Sequence, residues 1–375
     1  MNKQSFKQLK HLIEHLPKSK ILAGESVPNG QYRFYLSGQK ESRINVAISN
    51  QDAIVMGDGG VANIDFAKGK YSYSSHNFGF FSNTKNIETK YIYRTIEQFL
   101  PVLDYKGFVG SGIKNIDKSF LFDLYIQIPP LSEQKKITSI LTSVDNVIKS
   151  TQKQIDKLQD LKKATMNEFL TKGIGHTEFK DSEFGRVPKS WEVKTVGESC
   201  GIKNTLRYPI SREEREKIHG NYPYYGPTGI LDFINEYRLD GEYTLIGEDG
   251  DHFIKFYEKP QSIHVSGKFN VNNHAHILEG NALVSARWIY WFFLHRYIGP
   301  ALTRQGAGRY KLNKDSLQKL EIAVPPMMEQ TVIDEKLTSF DKLIYSKKGK
   351  FSQTQSLKRS LMQDLLTGKV RVKVN

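Results

Sequence analysis

The residues best suited to chemistry lie in the glycine-rich segment Thr303–Lys311. Its polar and aromatic side chains are those of Arg304, Gln305, Arg309, Tyr310 and Lys311, with Gly306 and Gly308 between them. Arginine forms paired hydrogen bonds with guanine, glutamine pairs with adenine, and lysine binds backbone phosphates. Glycine allows the backbone to approach a ligand closely. The pattern therefore predicts a loop that reads base edges in a nucleic-acid groove.

A less basic version of this loop occurs 196 residues earlier, where Gly110-Ser111-Gly112 corresponds to Gly306-Ala307-Gly308. Its candidates for nucleic-acid contact are Lys106, Ser111, Lys114 and Asn115. Further candidates elsewhere in the chain are Arg33, Lys40, Arg43, Lys203, Arg207, Tyr224, Tyr225 and Lys268. For any single residue, a solvated surface side chain is an equally good interpretation. The segment Arg212–Lys217 alternates in charge and is predicted to be a solvated helical turn.

Motifs for catalysis are missing from the sequence. A methyltransferase loop needs Asn or Asp before a Pro-Pro pair and an aromatic residue after it. Both pairs here follow aliphatic residues and precede Leu131 or Met327. No G-x-x-x-x-G-K-[ST] phosphate loop occurs. The pair His274-x-His276 lacks an accompanying cysteine or carboxylate cluster, so no metal site is predicted. These features favour a binding protein over an enzyme.

Composition is consistent with that interpretation. The chain has 375 residues, enough for two or three domains, and a net charge of +14, which favours a polyanionic partner. A basic surface without such a partner is the alternative. No apolar run approaches the roughly 18 residues of a membrane helix. The single cysteine and the absence of a signal-peptide pattern predict a cytoplasmic protein.

A long internal repeat must position these loops. Residues 128–171 return as 324–367 at a constant offset of 196, and 17 of the 44 aligned positions are identical. A repeat of this kind indicates two similar halves. After each Pro-Pro pair, apolar residues follow a heptad pattern, which predicts a helix of about 40 residues, or roughly 60 Å. Each helix is predicted to end at a glycine, Gly173 or Gly368.

Two equivalent seams in one chain predict an intramolecular coiled coil, with packing of each helix on its own body as the alternative. The seam residues are Ile137, Leu141, Val144, Ile148, Ile155 and Leu158 in the first helix, and Ile333, Leu337, Phe340, Ile344, Phe351, Leu357, Leu361 and Leu365 in the second.

The segments before each helix are predicted to be β-rich bodies. Alternating and aromatic stretches predict strands at Gln31–Leu36, Ala53–Met56, Tyr71–Ser75, Tyr243–Ile246, His252–Tyr257 and Ile263–Val265. The bodies also echo each other, since Met56–Gly60 corresponds to Ile246–Gly250 at an offset of 190. We therefore divide the chain into a first body (1–127), a first long helix (128–175), a second body (176–323), and a second long helix with its tail (324–375).

These motifs resemble those of a known family. The signature P-P-[LM]-x-E-Q-x-x-I, a long helix with Leu-Lys-[KR] near its end and a glycine stop occur twice, and the segment Gly185–Val193 (GRVPKSWEV) lies between them. Over nearly its full length the chain resembles the DNA-specificity subunit of type I restriction–modification enzymes. The first body departs from the pattern because it has no tryptophan entry. It opens instead with Asn2–Leu16, which has helical spacing at Phe6, Leu9, Leu12 and Ile13.

The resemblance implies an α+β fold, in which two β-rich target-recognition domains are separated by two long antiparallel helices that form an intramolecular coiled coil with pseudo-twofold symmetry. Each domain would read one half of a split double-stranded DNA target, and helix length would set the spacer. The repeated residues expected to shape the helices and dock partners are Pro129, Glu133, Gln134, Asp145, Pro325, Glu329, Gln330 and Asp341.

The implied partners are two modification subunits, which bind S-adenosylmethionine and methylate adenine, and restriction subunits, ATP-dependent nucleases and translocases that can then join. No cofactor is expected in this chain. Two other classes of function compete with this interpretation. A coiled-coil scaffold that does not bind DNA would bind its partners without salt dependence, whereas DNA affinity falls steeply with salt. A fragment of a fused methyltransferase–nuclease is disfavoured by the missing catalytic motifs.

Overall fold

The computed structural model describes residues 6–38, 41–112, 114–294, 296–305 and 309–374, without the side chains of Gln305 and Arg309. The chain divides into two compact units. The first unit contains the residues up to Gln154 and those from Lys347 onward, and the second contains Ile155–Ser346. Each unit therefore includes one β-rich body and a part of both long helices.

Eleven strands and two short helices form the body of the described first unit. The strands are β1 (Phe6–Gln8), β2 (Ile13–His15), β3 (Tyr32–Tyr35), β4 (Ser42–Ile44), β5 (Ala53–Gly57), β6 (Ile64–Ala67), β7 (Tyr71–Tyr73), β8 (Asn77–Ser82), β9 (Phe108–Val109), β10 (Asn115–Ile116) and β11 (Tyr125–Gln127), and the helices are α1 (Thr89–Val102) and α2 (Lys118–Phe122). One sheet has the order β2-β8-β5-β6 and another the order β4-β3-β7. All five residues of β5 are buried, as expected for a continuous apolar strand in the middle of a core.

The described second unit has a larger body. Its strands are β12 (Phe179–Lys180), β13 (Val187–Pro188), β14 (Glu192–Thr195), β15 (Gly201–Ile202), β16 (His219–Tyr225), β17 (Ile230–Ile234), β18 (Leu239–Gly247), β19 (Ser262–Val271), β20 (Ala275–Glu279), β21 (Thr303–Gln305), β22 (Arg309–Lys311) and β23 (Glu321–Val324), and its helices are α4 (Val196–Ser199), α5 (Arg212–Lys217), α6 (Ala286–Phe293) and α7 (Lys314–Lys319). A six-stranded sheet has the order β15-β20-β18-β19-β16-β17. The parallel pair β16–β19 matches the parallel pair β3–β7 of the first body, so the two bodies share a topology.

The opening of the first body corrects the prediction made for it. Residues 6–15 do not form an α-helix: β1 pairs with β11, just as β14 pairs with β23 in the second body. Between β1 and β2, one short turn of 3₁₀ helix buries Leu9. The apolar spacing was real, since Leu9, Leu12 and Ile13 all belong to the core. Pairing with a strand about 120 residues away overrode the local helical period.

Two long helices follow the bodies, α3 (Leu131–Lys172) and α8 (Met327–Leu366). In the first unit, Ile137 and Leu141 of α3 pack in one cluster with Met362 and Leu365 of α8. The start of α3 therefore lies beside the end of α8, and the two helices are antiparallel there. The predicted coiled-coil seam is confirmed at Ile137, Leu141 and Leu365.

The second unit contains the reciprocal arrangement. Met166 and Leu170 near the end of α3 pack in one core with Ile333 and Leu337 near the start of α8. One seam residue was wrongly predicted, because the side chain of Leu357 is 53% exposed. Each helix ends before a glycine with positive φ, Gly173 (65°) or Gly368 (69°), as predicted.

The remaining predictions of secondary structure have mixed outcomes. The predicted strands coincide with β3, β5, β7, β18 and β19, and Arg212–Lys217 is the helix α5. The predicted strand His252–Tyr257 is wrong, because Asp251–Phe253 forms a 3₁₀ turn and further turns follow it. His252 and Phe253 are buried there as a turn rather than as alternating strand residues. No described helix combines the length and apolar character needed to cross a membrane.

Candidate nucleic-acid interface

In the first body, a glycine-rich turn joins the hairpin that precedes the long helix. The amide of Gly60 donates to the carbonyl of Lys114 at 2.8 Å, and the amide of Ile116 donates to the carbonyl of Asp58 at 2.9 Å. Gly60 has a φ of +93°, which favours glycine at this turn. We call residues 58–62 with residues 103–112 and 114–116 the first tip.

The second body builds the same feature from equivalent residues. The amide of Gly250 donates to the carbonyl of Tyr310 at 3.3 Å, and the amide of Leu312 donates to the carbonyl of Glu248 at 2.8 Å. We call residues 248–251 with residues 301–305 and 309–312 the second tip. The sequence correspondences at offsets of 190 and 196 involve two different segments. In each body, these two segments lie together and are joined by hydrogen bonds.

A carboxylate at the second tip holds two of the predicted DNA-contacting cations. Glu248 lies 2.7 Å from Nη1 of Arg207 and 3.1 Å from Nζ of Lys311. The side chains of Glu248 and Arg207 are each only 15% exposed. Ion pairs that are shielded from water are weakly screened, so this carboxylate fixes where both positive charges lie.

Two histidines complete the network at the second tip. His276 is buried, its Nε2 lies 2.8 Å from the carbonyl of Leu312, and its Nδ1 lies 2.9 Å from Nη2 of Arg207. These contacts fit a neutral ring that donates from Nε2. Burial lowers the pKa of His276, and the neighbouring charge of Arg207 lowers it further. His274 lies 3.0 Å from Asp249, and no described cluster of three or more His, Cys, Asp or Glu side chains could hold a metal.

The residues on either side of the glycine-rich loop of the second tip pair as β21 and β22. Arg304 is exposed and its guanidinium lies 5.8 Å from the ring centre of Tyr310. The backbones of Gln305 and Arg309 pair with each other, whereas their side chains and residues 306–308 lie outside the described part of the chain. An exposed arginine over an aromatic ring retains its hydrogen-bond donors for a base or a phosphate.

The first tip has a different chemical character. Lys106 and Lys114 are exposed, and within the described chain neither makes an ion pair. Three exposed apolar side chains lie beside them: Val61, Tyr105 and Val109. The predicted candidates Ser111 and Asn115 are also exposed. Sequence reasoning missed the three apolar residues because a lone valine or tyrosine in a loop carries no signal of its exposure.

The other predicted contact residues have different environments. Arg33 pairs with Asp65 at 3.1 Å, and Lys203 pairs with Glu279 at 3.0 Å. The further placements are these: Arg43 donates to the carbonyl of Gly30, Tyr225 packs edge-on against Phe269, Lys268 lies over the ring of Tyr237, and Lys40 is outside the described residues.

One of these predictions is wrong. Tyr224 is 1% exposed, and its hydroxyl donates to the carbonyl of Tyr208 at 2.7 Å. Burial raises its pKa, as expected for a phenol enclosed in a core. The alternating pattern of β16 does not show which face of that strand is covered, so it does not distinguish a core tyrosine from a surface one.

The repeated glutamines anchor the start of each long helix. The side chain of Gln134 donates to the carbonyl of Pro129 and accepts from the amide of Glu88, which precedes α1. Gln330 makes the equivalent contacts with Pro325 and with Ser285, which precedes α6. Both glutamines are buried, so their repetition is explained by folding and leaves no surface for a partner.

The repeated glutamates receive the chain that leaves the other helix. Glu133 accepts from Nε of Arg371 at 2.7 Å and is 5% exposed, and the bond to Arg371 lowers its pKa. Glu329 accepts from the amide of Ile174 at 2.8 Å and from the indole of Trp191 at 3.0 Å. These contacts fix each helix start to the segment that follows the other helix.

The repeated aspartates pair with repeated lysines. Asp145 lies 2.7 Å from Nζ of Lys358 in the first unit, and Asp341 lies 2.6 Å from Nζ of Lys162 in the second. Both pairs are equivalent under the offset of 196. The predicted helix-shaping role of these eight repeated residues therefore has a direct structural basis, and a role in partner docking stays a prediction for those other than the buried Gln134 and Gln330.

Other repeated helix positions are exposed. Val147 and Leu343 are equivalent and each is 44% exposed, and Leu161 and Leu357 are equivalent and each is 53% exposed. The serines at 143 and 339, and at 150 and 346, are identical in the repeat and also exposed. Folding does not account for apolar side chains that both copies leave in water.

Comparison with known proteins points to one family. The family model described as "Type I restriction modification DNA specificity domain" matches residues 3–160 and 188–353, which is most of the chain. A putative type I restriction enzyme specificity subunit, MjaX, from Methanocaldococcus jannaschii is 29% identical over 301 residues, covering 78% of this chain and 70% of that protein. The MjaVIII specificity subunit of the same organism is 26% identical over 357 residues, covering 88% and 81%.

Solved structures show the same fold. The type I restriction–modification S subunit of M. genitalium superimposes with a TM-score of 0.69 at 15% identity, covering 98% of this chain and 97% of that one. A chain from a structure concerned with complex assembly and conformational transition of the type I R-M system has a TM-score of 0.54 at 13% identity and 98% coverage of both chains. The predicted α+β fold with two sheet-rich domains and long helices is confirmed.

Proposed function

The chain belongs to the type I restriction modification DNA specificity family and is a non-catalytic, DNA-recognising subunit, and from this premise we propose the finer features of its function. It recognises a bipartite double-stranded DNA target, with one body on each half-site, and it docks two modification subunits. Those subunits bind S-adenosylmethionine and transfer the methyl group to adenine. Restriction subunits can join the same assembly.

The two tips carry the proposal of a bipartite target. Both present a hairpin and a turn joined by the same backbone hydrogen bonds, although their side chains differ in charge and polarity. The backbone hydrogen bonds maintain the shape of each tip, whereas the side chains determine which bases it recognises. Two similar scaffolds with different side chains are therefore suited to two unlike half-sites.

The exposed repeated positions of the helices support two docking sites. Within each unit, the site would include the Ser-x-x-x-[Val/Leu]-x-x-Ser stripe of one helix and the exposed leucine of the other helix, with equal exposure in both copies. Equivalent surfaces on two otherwise different halves are suited to two copies of one partner. The buried Gln134 and Gln330, by contrast, are excluded from direct contact.

Mapping methylated adenines in the host genome with and without this gene tests the proposal. Loss of one bipartite motif is expected, with both half-sites lost together. If the expressed gene were deleted and every motif remained, the proposal would be wrong. Binding that is insensitive to salt and leaves no DNA footprint would support a coiled-coil scaffold instead.

Docking is tested separately by native mass spectrometry of the complex. Leu161→Asp and Leu357→Asp should each remove one of the two modification subunits, and the double variant should remove both. Tyr345→Asp is the matched control, because Tyr345 is 82% exposed on α8 but its equivalent is Lys149, so it is not repeated. Equal losses from the control would argue against the repeated stripe.

A further inference from the structure

Three large apolar side chains are exposed together at the first tip. Val61 is 64% exposed, Tyr105 is 82% exposed and Val109 is 55% exposed. Backbone contacts bring their segments into one place. The amide of Ala62 donates to the carboxylate of Asp104 at 2.9 Å, and Val109 pairs with Asn115, which also bridges to Gly59.

The architecture of the tip does not require these residues. At the equivalent positions of the second tip, under the offsets of 190 and 196, the sequence has Asp251, Ala301 and Gln305. The same hydrogen bonds between turn and hairpin form there, although two polar residues and an alanine replace the three large apolar ones. Apolar side chains that stay exposed to water contribute no hydrophobic free energy to folding. The reason for this exposed cluster therefore lies in a partner that covers it.

The charges around the cluster indicate which kind of partner covers it. Exposed Lys106 and Lys114 flank it, and among the described residues neither has an anionic partner. The acidic groups nearest in the chain are occupied, because Asp58 pairs with Lys118 at 2.9 Å, Asp104 accepts from the amide of Ala62, and Asp117 caps the start of α2. Apolar groups between free lysines suit a duplex groove, where phosphates flank the bases. The apolar group that the major groove presents is the 5-methyl of thymine.

We propose that Val61, Tyr105 and Val109 read thymine methyl groups in the half-site bound by the first body. The second body reads its half-site with polar and charged side chains instead. This inference rests on the proposed DNA-recognition function and adds the chemical basis of specificity for one half of the target.

Replacing thymine by deoxyuridine, which lacks only the methyl group, tests the inference. The full chain with its modification subunits is titrated with duplexes in which each thymine of each half-site is replaced in turn. We expect about a four-fold loss of affinity at one or more thymines of one half-site, the value of burying a single methyl group. The triple variant V61S, Y105A, V109S should bind thymine and deoxyuridine duplexes equally well.

Tyr125→Ala is the matched control, because Tyr125 is a 61% exposed aromatic residue of the same body outside the tip. It should keep the full preference for thymine, and thermal unfolding should show all variants folded. The inference is overturned if no thymine shows a preference over deoxyuridine, or if the preference persists in the triple variant. A variant that loses modification subunits but keeps the thymine preference would assign the cluster to a protein partner. Failure of the proposed function is distinguishable, because no sequence-specific binding would then exist in the unaltered complex.

Discussion

The two tips share a backbone arrangement and differ in almost every exposed side chain. In the first, Gly60 and Ile116 bond to Lys114 and Asp58, and in the second Gly250 and Leu312 bond to Tyr310 and Glu248. Main-chain donors and acceptors are independent of residue type, so this framework survives extensive substitution. The comparison shows how two halves of one chain can keep a scaffold and diverge in what they contact.

Charge is managed differently at the two tips. The second tip joins Arg207, Lys311 and His276 around the poorly exposed Glu248. The equivalent carboxylate of the first tip is that of Asp58, which pairs with Lys118. The side chain of Asp58 is 31% exposed and that of Lys118 is 48% exposed. We therefore expect the ion pairs of the second tip to contribute to the free energy of unfolding of the second body. The ion pair of the first tip should contribute little to that of the first body.

The largest expected difference comes from neutralising the two equivalent carboxylates. Glu248→Gln should lower the free energy of unfolding of the second unit by about 2–4 kcal/mol, because it leaves a poorly hydrated arginine without its counter-charge. Asp58→Asn should cost less than about 1 kcal/mol, because water screens its pair. Urea unfolding measures both, and fluorescence reports the second unit because all three tryptophans, Trp191, Trp288 and Trp291, are buried there. Equal costs would remove the proposed difference in coupling.

Acid should also affect the second unit through His252. Burial lowers the pKa of this side chain to about 4, below the value near 6.5 of an unfolded chain. Between these two pH values the unfolded chain takes up more protons than the folded chain. The contribution of neutral His252 to the free energy of unfolding is therefore complete above about pH 6.5 and is lost as pH falls towards 4. The loss should be on the order of 2–3 kcal/mol.

Tryptophan fluorescence during urea unfolding at pH 7, 5.5 and 4.5 checks this pH dependence. His252→Asn should flatten the profile in this range, whereas substitution of the exposed His76 in the first body should leave it unchanged. A profile that stays equally steep in His252→Asn would exclude this residue as its source.

Base specificity should respond to Arg304 in one half-site only. Arg304→Ala is expected to reduce discrimination at one base pair of the half-site read by the second body by about 1–3 kcal/mol. The other half-site should be unaffected. Sequencing of methylated adenines in cells that carry the variant gives the relaxed motif directly. Relaxation in both half-sites would contradict the assignment of one body to each half.

The smallest effect is expected from the unpaired lysines of the first tip. Removing the positive charges of Lys106 and Lys114 together should weaken binding to DNA of every sequence. It should also reduce the slope of log affinity against log salt concentration by about two. Lys118→Ala is the control, because Lys118 already pairs with Asp58. A change of motif without a change of slope would mean that these lysines contact bases rather than phosphates.

Several elements were predictable because short-range patterns encode them. The heptad spacing of Ile137 and Leu141, the glycines that end both helices and the alternation of Arg212–Lys217 all depend on residues within a few positions of one another. The candidate loops were also found from sequence, since glycine flanked by arginine and lysine is a local signal. Buried Tyr224 and exposed Val61 could not be distinguished from their opposites, because burial depends on what the fold places beside them.

By itself, the sequence determined that the chain has two halves, that a long helix ends each, and that a basic glycine-rich loop precedes each helix. The tertiary structure alone decided that the opening residues form a strand, that the repeated Asp145 pairs with the repeated Lys358, and that each loop joins a turn far back in the chain. The physical reason is distance along the chain. Helical periodicity is set by neighbours three or four positions apart, whereas strand pairing, ion pairing and burial depend on which distant segments meet when the core forms.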